Sequence, residues 1–176
     1  MTKQHFVSRV AQAFVKLKVM SAVEAESFEK EFSGRTKDRV DEFLLDEGIT
    51  DRETLLKVLQ SVYGVPSYDV RGYFFNHHIL MLFPRDFLDN KAIIPLQIED
   101  DILTVVVSNP EDDEILSIIG NYVPYSIEVM IGIRRDILDA IEEYYDEDVA
   151  TSDIEDEEAD ETEELAEDES DIIDIY

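Results

Sequence analysis

Near residue 92 the hydrophobic period of this chain changes, and that change does most to limit its fold. Across residues 4–63 the apolar residues recur at helical spacing. Further on, "KAIIPLQIE" and "DILTVVVS" are short β-branched runs joined by the acidic turn Glu99–Asp100–Asp101, the pattern of two strands. A helical half followed by a half of mixed period fits neither an all-helical bundle nor an all-β sandwich. The expected class is α+β. Residues 1–63 form a helical bundle and residues 64–145 a small α/β sandwich with a short, largely antiparallel sheet.

Four helices are expected in the first half. Phe6, Val10, Ala13, Phe14 and Leu17 make one apolar stripe. Ser21 with Glu24 has the S-x-x-E form of a capping box and opens a second helix, ending near Gly34. Thr36 caps a third helix with Val40, Phe43 and Leu44 on one face, and Gly48 suits the left-handed position after it. Thr50 with Glu53 is a second box, starting a helix with Leu55, Leu59, Val62 and Tyr63 inward. Arg9–Val10 and Arg39–Val40 lie 30 residues apart, each opening a helix pair, which suggests a duplication.

"YGVPSYDVRGYFFN", residues 63–76, breaks the helical pattern, and its apolar residues (Val65, Tyr68, Tyr73, Phe74, Phe75) favour docking over a swinging linker. "HHILMLF" reads as a short helix stopped by Pro84. Asn109 before Pro110 predicts a helix start, with Ile115, Ile118 and Ile119 on its inner face and a stop at Gly120. "YSIEVMIGI" is the third strand. A closing helix from Arg134 to Tyr145 turns Ile137, Leu138, Ile141 and Tyr144 inward.

Charge narrows the function classes. The chain carries 43 acidic and 15 basic residues, net −28. From Asp146 to Tyr176 there are 17 acidic and no basic residues. Such a block repels itself and cannot bury enough apolar surface to offset its ordering entropy, so 146–176 is expected to be a disordered acidic tail or linker. Nucleic acid and anionic membrane surfaces need clustered Lys and Arg and are not expected partners. The absence of cysteine removes disulfides and thiolate chemistry. No apolar run is long enough to span a bilayer and no signal-peptide core opens the chain, so a cytoplasmic location is expected.

Catalytic chemistry is not legible either. None of the six glycines precedes Lys–Ser or Lys–Thr, so there is no phosphate-binding loop of the G-x-x-x-x-G-K-[ST] type. His77 and His78 are adjacent and on a helix diverge by about 100°, which suits helix-start polar residues better than a shared metal. Carboxylate pairs are too abundant for any one to be informative. The chain is read as no enzyme, with no metal site.

The order of elements in "LFPRDFLDNKAIIPLQIEDDILTVVVSNPEDDE" and in "IRRDILDAIEEYY" resembles the N-terminal, or MshEN, domain of type II secretion and type IV pilus assembly ATPases. The resemblance covers residues about 5–145. It implies a non-catalytic docking or adaptor module, with a cytoplasmic platform component or the assembly ATPase as partner, held at the inner membrane through that protein partner. It also implies an alternative, a cyclic di-GMP receptor. Many relatives bind that dinucleotide through two tandem copies of a pattern near Arg-Leu-Gly-x-x-Leu-x-x-x-Gly, followed by leucines and a glutamine.

Carried over by residue, the ligand-binding positions would be Arg9 and Val10 in one copy and Arg39, Val40, Leu44, Gly48, Leu55 and Leu59 in the other. Asp41 and Val62 depart from the family's glycine and glutamine. In the earlier copy Phe14 fits loosely, Ala11 and Lys18 replace both glycines, and Phe32 stands for glutamine. A carboxylate where backbone should approach phosphate, and a lost amide, disfavour cyclic di-GMP. No other cofactor is implied.

Overall fold

The computed structural model describes residues 3–32 and 37–145, with side chains from residues 6 to 32 and 40 to 145. Thr36, Gly34, the Arg39 side chain and the acidic tail lie outside the described residues. Met1–Ile141 is one compact unit. In the second, Glu142–Tyr176, the described residues 142–145 are helical.

Helices α1 (Lys3–Lys16), α2 (Ala22–Phe32), α3 (Lys37–Asp46) and α4 (Arg52–Tyr63) make the bundle. The α1 stripe is buried at Phe6, Val10, Ala13 and Phe14. Leu17, expected in that stripe, follows the helix end and is exposed. The Ser21–Glu24 box closes reciprocally: Ser21 N donates to Glu24 Oε2 at 2.7 Å, and Glu24 N donates to Ser21 Oγ at 3.3 Å. The start of α4 differs from the expected Thr50–Glu53 box. Asp51 is the N-cap, its carboxylate accepting from Thr54 N at 2.7 Å, while Thr50 is buried. A carboxylate one residue on is the stronger acceptor for the orphan amides and suits the positive end of the helix dipole.

The first helix of each pair, α1 and α3, ends in the same way. Lys18 N donates to Val15 O and Val19 N to Phe14 O, and thirty residues on Gly48 N donates to Leu45 O and Ile49 N to Leu44 O. These are the paired bonds of a Schellman closure. Its left-handed residue is Gly48 (φ +65) in one copy and Lys18 (φ +59) in the other. The repeat read from two Arg–Val pairs is thus visible in the backbone.

After Gly64, a left-handed cap with φ +71, the crossing segment docks. Ser67 bridges in parallel to Ile131, with Ile131 N donating to Pro66 O and Tyr68 N to Ile131 O. Val70 and Phe75 are buried, whereas Phe74 is 91% exposed. Two short helices follow, α5 (His77–Leu80), capped by Asn76, and α6 (Arg85–Lys91), which Pro84 opens.

Strands β1 (Ile93–Glu99) and β2 (Ile102–Val107) form the expected hairpin, with Asp100 and Asp101 both at positive φ. That is the two-residue turn whose twist matches the strands. The register shifts between Pro95 and Gln97; proline cannot donate to a ladder, and β1 is tolerant because it lies at the sheet edge. Strand β3 (Ser126–Ile131) pairs with β2 in parallel, so the sheet is mixed rather than largely antiparallel. The cause is helix α7 (Asp113–Tyr122), which carries the chain back across the sheet before β3 begins. That helix starts later than Asn109–Pro110 implies: residues 109–112 form a turn, and Asp112 caps by accepting from Glu114 N at 3.1 Å. It also continues through Gly120 to Tyr122.

Helix α8 spans residues 134–145, with Ile137, Ala140 and Ile141 buried. Ile131 and Ile133 belong to the same hydrophobic cluster as the bundle helices, so β3 is where bundle and sheet share a core.

Candidate functional site

The residues expected to hold a ligand separate into two populations. Val10, Val40, Leu44, Leu55 and Leu59 all have 0% exposure and lie in one core cluster. They fix the two helix pairs against each other. Gly48 sits outside that core, in the α3–α4 turn.

Arg9 is the exception. Its guanidinium donates from Nη1 to Glu111 Oε1 at 2.8 Å and from Nη2 to the Val62 carbonyl, and it lies over the Tyr63 ring with Cζ 5.4 Å from the centroid. The side chain is 23% exposed. It therefore ties α1 to the end of α4 and to the loop before α7. Val62, where the family has glutamine, is buried and supplies only its backbone oxygen to this arginine. Asp41 is 4% exposed and Phe32 is 1% exposed, so neither departure from the family pattern sits on an open surface.

Sequence reasoning missed the polar cluster that joins the bundle to α8. Asp136 is 3% exposed and accepts from Arg52 Nε through both carboxylate oxygens at 3.2 Å, with Arg71 Nε at 3.7 Å. Arg71 is in turn held by Asp69, at 2.9 and 2.5 Å, and that hydrogen bond lowers the Asp69 carboxyl against its partial burial. Arg135 reaches Asp46 at 2.9 Å. The signal existed only as unremarkable charges far apart in sequence. Elsewhere Lys91 donates to Asp112 at 2.8 Å, holding that carboxyl below the usual carboxylate range.

Sequence reasoning also missed a groove along α2. A cavity of about 460 Å³ is floored by Phe28, Phe32 and Phe43 and flanked by Val19, Val23 and Ile49, with Glu24, Ser27 and Glu31 on its rim. Phe32 lies between its two neighbours, tilted against Phe28 with ring centroids 4.7 Å apart and edge-on to Phe43 at 4.8 Å. No group of metal-ligating side chains is present among the described residues, and His77 and His78 are the first two residues of α5, with ring centroids 6.0 Å apart. No helix among the described residues is long and apolar enough to cross a membrane.

The MshEN domain model matches residues 63–151. The type IV pilus assembly ATPase PilB of Myxococcus xanthus (strain DK1622) is 24% identical over 109 residues, which make up 62% of this chain and 19% of PilB. The chain thus spans about a fifth of that relative's length. Among solved structures, MshE with cdg superimposes with a TM-score of 0.58 at 19% identity, covering 77% of this chain and 98% of that one. The N-terminal domain of XpsE gives 0.52 at 17% identity, covering 76% and 92%. At such identities these two structures speak for the fold alone.

Proposed function

This chain belongs to the MshEN domain family, and from that premise we propose that it is a non-catalytic docking module of a bacterial type II secretion or type IV pilus system. Its partner in this reading is a cytoplasmic platform component or the assembly ATPase, and it works in the cytoplasm, at the inner membrane through that partner. The observation that carries the reading is the family match over the sheet half, residues 63–151. The chain's net charge of −28 turns the reading toward protein partners and away from nucleic acid. The test is photo-crosslinking of the full chain in its native cell, with adducts identified by mass spectrometry. Adducts with a platform protein or assembly ATPase are expected. Adducts containing neither would refute the reading.

A second reading, a cyclic di-GMP receptor, is favoured by the likeness to MshE with cdg and by Arg9 and Gly48. Against it stand the buried Asp41, the valine at position 62, and the engagement of Arg9 by Glu111. An anionic ligand at Arg9 would have to displace that carboxylate. Calorimetric titration of the full chain with cyclic di-GMP, with GTP as control, decides the matter. A saturable isotherm abolished by Arg39→Ala supports a receptor; silence at millimolar ligand removes it.

A further inference from the structure

The groove along α2 has features that a merely solvated helix face does not need. Its lining follows α2 from Val23 to Phe32, about 14 Å at the helical rise, or between two and three turns. Glu24, Ser27, Phe28 and Glu31 fall at i, i+3, i+4 and i+7, so one continuous face of α2 forms the wall. Its volume of about 460 Å³ lies within the roughly 300–1,000 Å³ typical of binding clefts.

The rim is unusual in what it exposes. Val23 is 74% exposed, Ile49 is 42% and Val19 is 36%. Val19 and Ile49 are the equivalent residues of the two Schellman closures, so the same backbone device sets an apolar side chain at the edge from each helix pair. The charged residues lining the groove, among the described residues, are Glu24 and Glu31. Glu24 is fixed as a carboxylate acceptor by Ser21, whose backbone and side-chain hydrogen bonds lower its proton affinity.

We propose that this groove docks a cationic amphipathic helix of a partner protein. Apolar side chains at i, i+3/i+4 and i+7 enter over Phe28, Phe32 and Phe43, and flanking lysines or arginines meet Glu24 and Glu31. The inference rests on the docking reading and adds to it a face and the chemistry of the partner. Helix-in-groove recognition combines an apolar stripe with flanking charge, which is what the floor and rim supply. Charge decides against the other occupants. The chain's own residues 146–176 hold 17 acidic and no basic residues, and a second copy brings a further −28. A phosphate-bearing ligand would face the same two carboxylates.

The experiment uses the full chain and a fluorescein-labelled 15-residue peptide with leucines at i, i+3, i+4 and i+7 and lysines elsewhere. A scrambled peptide of identical composition and a counterpart with glutamate for lysine serve as controls. Methyl NMR of the full chain locates the contact. The patterned peptide is expected to saturate, with shifts on the Val19, Val23 and Ile49 methyls, and to bind at least tenfold more weakly to the V23S/I49S variant. Both positions are exposed, and an unchanged urea midpoint checks that the variant is folded. Equal binding of the scrambled peptide, shifts confined to residues 146–176, tight binding of the acidic peptide or unaltered affinity of the variant would each overturn the proposal. The same variant in the cellular crosslinking separates the two readings. Platform or ATPase adducts that persist in V23S/I49S overturn the groove and leave docking intact. Absence of such adducts with the unaltered chain overturns docking, and the peptide titration then judges the groove alone.

Discussion

Removing Arg52 should destabilise this protein more than removing its partner Asp136, although both changes delete the same ion pair. The asymmetry comes from burial. Asp136 is 3% exposed, whereas the Arg52 side chain is 35% exposed. In Arg52→Ala the carboxylate stays out of water with Arg71 Nε 3.7 Å away, already engaged by Asp69, and with the charge of Arg135, itself held by Asp46. Truncating one member of a buried pair costs roughly 3–5 kcal/mol when the orphan is fully desolvated. The residual help from Arg71 reduces the expected loss to about 2–3 kcal/mol. In Asp136→Ala the half-exposed guanidinium rotates back into water, so about 1–2 kcal/mol is expected. The double variant should then recover about 1–2 kcal/mol of coupling. Urea unfolding of the full chain measures all three, and Arg52→Ala should lower Tm by about 5–10 °C at roughly 2–4 °C per kcal/mol. A larger loss for Asp136→Ala than for Arg52→Ala, or coupling below about 0.5 kcal/mol, would refute the reasoning.

Four further outcomes are expected. Lys18→Gly should raise stability by about 1 kcal/mol in chemical denaturation, because Lys18 holds φ +59 where Gly48 holds φ +65 in the matching turn; Gly48→Ala should cost a similar amount from backbone strain alone, since a Cβ there meets nothing within 4 Å. Gly132→Ala should cost about 1–3 kcal/mol, because its Cβ would stand 2.6 Å from Val106 Cγ1 and 3.1 Å from Ile137 Cδ1 where β3 runs into α8; an unchanged midpoint would show that the junction relaxes. The Asp112 carboxyl is lowered in the folded state by the Lys91 hydrogen bond, against its partial burial, so its contribution is complete above the unfolded value of 3.8 and is lost as pH falls through the lower folded value. Asp112→Asn keeps an N-cap acceptor but loses that linkage, and should flatten the fall in stability below about pH 4 in acid titrations monitored by circular dichroism.

The residues alone determined the elements and their class. Periodicity separated the four bundle helices from the strands, the Ser21–Glu24 box formed as written, and the acidic turn closed a hairpin, because each depends on interactions within a few residues. The resemblance likewise rested on local order and led to the family that residues 63–151 match. Where two local signals competed within a few positions, the carboxylate became the cap. Asp51 displaced Thr50 as the stronger acceptor one residue on, and Asp112, held also by Lys91 from another element, displaced Asn109. The parallel pairing of β3, the pinning of Arg9 by Glu111, 102 residues away, and the burial of Asp136 between Arg52 and Arg71 were invisible in the chain. So was the groove over Phe28, Phe32 and Phe43. Surfaces and buried ion pairs of this kind are made from side chains distant in sequence, and their energies depend on separation and exposure that only the packed structure sets.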